Sequence, residues 1–168
     1  MTNEIERFIQ EHGPRGLLID TNLLLLLALG SFSRDRISQF KRTASYTTAD
    51  YDLLALFVGQ FEKIITTPNV LSEFSNLAGQ MADPMKSNLF EFLRDGFFVL
   101  VDETYVKSHE ASRHDLFLPL GITDAAIGVL ARDRTAILTD DLRLYVRLAG
   151  KEGVDVINFN HIRDLLLG

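Results

Sequence analysis

From Leu17 to Leu29 the chain is apolar except at Asp20, Thr21 and Asn22, and that interruption constrains the fold more than any other feature. The stretch is too short and too polar at its centre to span a bilayer, which needs roughly 20 apolar residues. It reads instead as a buried strand over Gly16 to Ile19, an acid at the strand's end, and an apolar helix from Asn22 to Leu29. The same order returns near the C-terminus. Ala136 to Leu138 predicts a strand, Thr139-Asp140-Asp141 a polar turn, and Asp141 to Ala149 a helix closed by Gly150. A strand that ends in an acid and feeds a helix is the unit of a parallel sheet with helical crossovers.

Other segments extend the alternation. Lys63 to Thr67 is β-branched and strand-like, Phe97 to Val101 is a short apolar run, and Val154 to Ile157 supplies a last strand. Helical spacing appears over Tyr51 to Phe61 and after Pro68, where Val70, Leu71, Phe74 and Leu77 share a face. Further helices are expected from Asp83-Pro84 to Gly96, over Asp102 to Arg113, from a Thr123 cap to Arg132, and from Asn160 to Leu167. Residues 30–50 form a polar connection longer than most, which reads as an accessory segment, either a mobile element or a short extra helix. The expected fold class is α/β: three layers, α/β/α, around a central, mostly parallel sheet of about five strands. At 168 residues, positions 1–168 fit one domain.

The absence of cysteine excludes disulfides, thiol nucleophiles and zinc ribbons, and suits a reducing cytoplasm. The mixed charge of Asn3, Glu4, Glu6, Arg7 and Glu11 resembles neither a secretion signal nor a transit peptide, so a cytoplasmic protein without a membrane segment is expected. A net charge of −6 weighs against a nucleic-acid partner, since such domains carry a basic face. If four acids share one metal site, however, the rest balance at 17 basic against 19 acidic residues, and bound cations invert the local field.

Four contexts place acids beside apolar elements: Leu18-Ile19-Asp20-Thr21-Asn22, Leu71-Ser72-Glu73-Phe74, Gly121-Ile122-Thr123-Asp124-Ala125-Ala126, and Leu138-Thr139-Asp140-Asp141. Taken singly, each reads equally well as a helix cap or a charge opposing a helix dipole. In this order, over about Gly16 to Phe159, they resemble the PIN-domain nucleases, most specifically from Gly121 to Asp141. That family places an aspartate at the end of the first strand, a glutamate on a middle helix, an aspartate opening a later helix, and a final acid in a Thr-x-Asp turn. The resemblance implies that Asp20, Glu73, Asp124 and Asp141 are catalytic metal ligands, with Asp140 an outer ligand or a helix-start charge. It also implies that Asn22 and Thr139 hold carboxylates by hydrogen bonds.

The chemistry explains why such acids would be gathered. Two carboxylates about 5 Å apart repel by roughly 3 kcal/mol at an effective dielectric near 20, so four converging ones call for a cation. Hard oxygen donors without sulfur or clustered imidazoles select Mg²⁺ or Mn²⁺. A bound ion activates water, and a second stabilises the leaving oxygen of a phosphodiester. Glu73 would bind that second ion or position the water. The implied activity is a Mg²⁺- or Mn²⁺-dependent endoribonuclease acting on single-stranded or structured RNA. Many small members of the family are toxins held by an antitoxin-type protein inhibitor, and a homodimer is compatible with the resemblance.

Arg143 and Arg147, one helical turn apart, and Arg34 and Arg36 are candidate backbone contacts, although solvated surface charges have the same appearance. His109 and His114 fit no zinc spacing, and the sequence has neither a Gly-rich phosphate loop nor a nucleophile elbow. Two alternatives stay open: a catalytically silent PIN-like binding module, and a phosphoryl-transfer α/β domain with an aspartate after its first strand. Asp20-Thr21-Asn22 lacks the second acid that the phosphatase D-x-D pattern requires.

Overall fold

The computed structural model describes residues 2–168. In chain order its regular elements are α1 (Thr2–His12), β1 (Leu17–Ile19), α2 (Thr21–Phe32), α3 (Thr48–Val58), β2 (Ile64–Thr66), α4 (Pro68–Ala78), α5 (Met85–Asp95), β3 (Val101–Glu103), α6 (Ser108–Ala111), α7 (Phe117–Leu120), α8 (Ile122–Ala131), β4 (Ala136–Thr139), α9 (Leu142–Leu148), β5 (Val156–Asn158) and α10 (Phe159–Leu166). The five strands form one wholly parallel sheet in the order β3-β2-β1-β4-β5, covered by helices in three layers, as the alternation requires. Leu17 faces both Ile64 and Ala136 in register, and Thr139 faces Asn158.

β1 is central and its three residues are fully buried, which is why Leu17-Leu18-Ile19 carries no polar alternation. α2 is apolar on every side because it is enclosed on every side: it packs against α3, α4 and α5, and Leu23 to Leu29 are all buried. The exposed edge strand β3 ends in Asp102 and Glu103, charges that discourage pairing with another chain.

Several boundaries differ from the sequence reading. Phe97–Leu100 is a 3₁₀ turn and the strand begins only at Val101. The helix expected over Asp102 to Arg113 contracts to the single turn of α6. Thr123 is not the cap of α8. Gly121, at φ +91°, turns the chain so that the helix starts one residue after it, without a side-chain cap. Residues 30–50 hold a 3₁₀ turn, Arg34–Arg36, and successive turns rather than an extra α-helix. Ile37, Thr43 and Tyr46 are buried in it, and the Thr43 hydroxyl donates to the Ile37 carbonyl at 2.8 Å. A Thr47/Asp50 capping box then starts α3. At the other end, α1 forms where the sequence showed only mixed charge.

Gly30 makes this packing possible, because a Cβ there would stand 2.1 Å from Cδ2 of Tyr51. The ring is nearly buried, with Arg34 across its face at 5.3 Å. Alanine gains about 1 kcal/mol of helix propensity over glycine, but overpacking a fixed ring costs typically 1–3 kcal/mol. Gly30→Ala is therefore expected to be destabilising by on the order of 1 kcal/mol in urea denaturation, and a variant as stable as the parent would mean that the α2–α3 contact is loose.

Candidate metal centre at the sheet switch point

β2 and β3 lie on one side of β1, and β4 and β5 on the other, so the strand order reverses between β1 and β4. A crevice opens beyond the carboxyl ends of two such strands, because the connections leave them in opposite directions. Asp20 follows β1, and Thr139-Asp140-Asp141 end β4 or follow it. The crevice is a cavity of about 460 Å³, and its lining includes all four expected acids, Asp20, Glu73, Asp124 and Asp141.

Asp20 is 5% exposed. It caps α2, with Oδ1 accepting from the Leu23 amide at 2.9 Å. Oδ2 accepts from the Asp140 amide at 2.9 Å and from the Thr139 hydroxyl in a short hydrogen bond. Burial, and then the neighbouring Asp140 charge, push its carboxyl well above the usual range against the pull of those three donors. Asp141 caps α9: Oδ1 accepts from the amides of Arg143 at 2.6 Å and Leu144 at 3.3 Å. Its own amide donates to the Thr139 hydroxyl oxygen at 3.0 Å, so Thr139 ties both aspartates to the end of β4.

Glu73 projects from α4, and its Oε2 accepts from the Thr21 hydroxyl at 3.2 Å. Asn69, Ser72 and Asn76 of the same helix also line the cavity. Their spacing with Glu73 forms one polar helical stripe. Asp124, in the first turn of α8, is pushed up to about 6 by burial, then by the Asp141 and Glu73 charges, while Arg143 pulls it down. These mutual effects put Glu73, Asp124 and Asp141 within electrostatic reach of one another. They do not converge on one point. Among the described residues, the set of three metal-ligating side chains with all donor atoms within 4.8 Å of one another lies elsewhere, at Glu11, His12 and Asp155.

Asp140 stands outside the cavity lining. Its Oδ2 accepts a short hydrogen bond from the Tyr46 hydroxyl, and its Oδ1 accepts from Asn22 Nδ2 at 3.4 Å. It is neither a helix cap nor a wall of the crevice, and the helix-start charge is Asp141. Asn22 and Thr139 do hold carboxylates. Arg143 is outside the cavity lining, although its charge reaches Asp124, and its Nη2 donates to the Pro119 carbonyl at 2.9 Å. Arg147 lies on an exposed face of α9 with Leu142 and Val146. Arg34 and Arg36 are engaged within or near their own segment, by Asp52 at 2.7 Å and Gln39 at 2.8 Å, and do not line the cavity. Sequence reasoning missed Thr21, Tyr46, Asn69, Ser72 and Asn76. Of these only the α4 residues carried a signal, the polar stripe opposite Val70 and Phe74.

The raised carboxyls set a pH dependence in metal-free protein. A carboxyl with a folded pKa above its unfolded value binds its proton more tightly when folded. Its contribution is complete below about pH 4 and is lost as pH rises through about 6 for Asp124, with Asp20 acting in the same direction. In EDTA, Asp124→Asn is expected to lose less stability than wild type between pH 5 and pH 7 in denaturant titrations. Parallel losses in the two proteins would show that Asp124 is not held in a field of like charge.

Among the described residues no helix is long and apolar enough to cross a membrane. No known family model matches the sequence and no curated protein matches it.

Proposed function

We propose that the chain is a divalent-metal-dependent nuclease that hydrolyses phosphodiester bonds in RNA, the activity implied by its resemblance to the PIN-domain nucleases. The observation that carries this reading is the gathering of Asp20, Glu73, Asp124 and Asp141 around one cavity at the sheet's switch point. The donor set suits Mg²⁺ or Mn²⁺: it is all oxygen, no imidazole lines the cavity, and Asp20 and Asp124 are both disfavoured as bare anions. Asp20, Asp124 and Asp141 line the cavity without their donor atoms meeting within 4.8 Å, so they would hold the ion by turning inward onto it or through the waters that Mg²⁺ and Mn²⁺ retain, with Glu73 in the same lining. When bound, such an ion lowers the pKa of a coordinated water and polarises a phosphoryl oxygen.

The chain's own part is orientation. Thr139 and the Asp140 amide fix one oxygen of Asp20, the Leu23 amide fixes the other, and Thr21 steadies Glu73. Each carboxylate oxygen has two lone pairs, so these bonds leave Asp20 able to ligate. Asn69, Ser72 and Asn76 add neutral hydrogen-bonding atoms to the wall on which sugar and phosphate oxygens would rest. Arg143 adds a positive charge within electrostatic reach of Asp124.

Incubating the protein with end-labelled single-stranded RNA tests the proposal. Cleavage is expected in Mn²⁺ and not in EDTA. Asp141→Asn should lower the rate on the order of 100-fold, the equivalent of roughly 3 kcal/mol of transition-state stabilisation. The substitution should leave the fold intact, because asparagine caps helices as well as aspartate does. Equal rates in the two proteins would remove the mechanism. A silent binding module is favoured by one observation, that Asp20 already accepts three hydrogen bonds from the protein. Calorimetry with Mn²⁺ decides between the readings, since a silent crevice takes up no ion near neutral pH.

A further inference from the structure

The Glu11, His12 and Asp155 side chains stand apart from the acid crevice. Glu11 and His12 end α1 ahead of β1, and Asp155 immediately precedes β5, so in this parallel sheet they sit at the amino ends of the strands, opposite the cavity. One donor atom from each lies within 4.8 Å of the others. His12 is 1% exposed and Asp155 37%. Packing holds the imidazole: Phe8 lies 4.9 Å from it between ring centroids, and buried Nδ1 has no hydrogen-bond partner. The other ring nitrogen, Nε2, faces Asp155 Oδ2 at 3.4 Å. That separation exceeds the 2.7–2.9 Å of a charge-assisted hydrogen bond. It matches the edge of a tetrahedron around zinc, about 3.3 Å when both bonds are about 2.0–2.1 Å long. The main chain on both sides is anchored, since the His12 carbonyl accepts from the Gly16 amide at 3.1 Å and the Asp155 carbonyl from the Ile137 amide at 2.9 Å.

We propose that Glu11, His12 and Asp155 form a second metal site, selective for a borderline transition ion such as Zn²⁺ over Mg²⁺, which clips the end of α1 to the start of β5. Imidazole with two carboxylates is a nitrogen and oxygen donor set that zinc accepts and magnesium, which prefers oxygen, does not favour. Glu11 is exposed and so free to swing onto an ion that His12 and Asp155 already flank. Water completes the coordination, because the open side of Asp155 faces solvent.

The site is independent of the nuclease reading, and imidazole NMR separates the two because the acid cavity has no histidine in its lining. Full-length protein labelled with ¹⁵N in its four histidines is titrated with Zn²⁺, and with Mg²⁺ as control. At one equivalent of Zn²⁺ the His12 Nε2 resonance is expected to shift while Mg²⁺ leaves it in place. Asp155→Asn and Glu11→Gln, both at solvent-accessible positions, should each weaken that response at least tenfold without changing the fold. His12→Ala should remove one zinc from the stoichiometry. Zinc uptake that moves no His12 signal, or that Asp155→Asn leaves at wild-type affinity, overturns the proposal.

Discussion

Asp20→Asn is expected to reduce Mn²⁺-dependent RNA cleavage by a thousandfold or more while the protein stays folded. Asp20 is the most enclosed of the four cavity acids and the one bound to both strand ends that meet at the switch point. An amide there gives up one of two anionic oxygens and turns an N–H₂ toward protein donors. Either the Leu23 amide or the Thr139 and Asp140 pair then loses its acceptor. Losing the α2 cap costs about 0.5–2 kcal/mol. Against that, the substitution removes a charge that burial and Asp140 already penalise, so the net change in stability is small. Thr139→Val is the informative partner. It keeps the charge on Asp20 but deletes the hydroxyl that holds both Asp20 and the Asp141 amide. A loss of about 1–3 kcal/mol in stability is expected, with metal affinity down roughly 10–100-fold. If Asp20→Asn cleaves RNA at a rate near wild type, the crevice is not where hydrolysis happens.

The core of this architecture is readable from residues 16–29 and 136–149 because burial on both faces leaves a signature that tertiary context seldom overrides. Leu17-Leu18-Ile19 and Ala136-Ile137-Leu138 have no polar alternation, and in the structure they pair in register at the sheet's centre. The acids that follow them are forced to the same edge by parallel pairing, so once strands are recognised the placing of Asp20 and Asp141 on one cavity follows from topology. Less was readable where local sequence is ambiguous. Phe97-Phe98-Val99-Leu100 is apolar enough for a strand, yet only Phe97 is buried, and the run closes as a 3₁₀ turn against α5 and β3.

The role of Tyr46 was invisible for a different reason. It lies in a segment without periodicity, and its partner Asp140 is 94 residues away, so no local rule connects them. Asp140 beside Asp141 was equally opaque, since adjacent residues on a turn point in different directions and sequence does not say which faces the crevice. The α4 stripe was readable but unread. Asn69, Ser72, Glu73 and Asn76 at helical spacing distinguish Glu73 from Glu62 by geometry, because Glu62 lies in the turn before β2.

Arg163→Met is expected to be destabilising by about 3 kcal/mol, lowering Tm by roughly 6–12 °C for a chain of this length. Arg163, on the last helix, donates to the Asp50 carboxylate through Nε at 2.7 Å and Nη2 at 3.2 Å. The Asp50 side chain is 3% exposed and the Arg163 side chain 28%, so removing the cation strands a buried anion, whereas an unpaired Arg163 could reach water. Thr47 still serves Asp50 through its amide and hydroxyl at 2.7 and 2.9 Å, which keeps the effect at the lower end of the range for broken buried pairs. Two further contacts link this pair to the crevice: Arg163 lies over the Tyr46 ring at 5.5 Å, and Tyr46 donates to Asp140. Asp140 is outside the cavity lining, so cleavage by the folded fraction should fall less than tenfold even as Tm drops. The double substitution Asp50→Leu with Arg163→Met removes both charges and should recover part of the loss, because hydrophobic replacement of a buried pair is often neutral. Differential scanning calorimetry of the three variants checks the argument. A single variant that melts with wild type would show that α10 is not fastened through Asp50, while an unrecovered double variant would assign the stabilisation to side-chain shape rather than to charge.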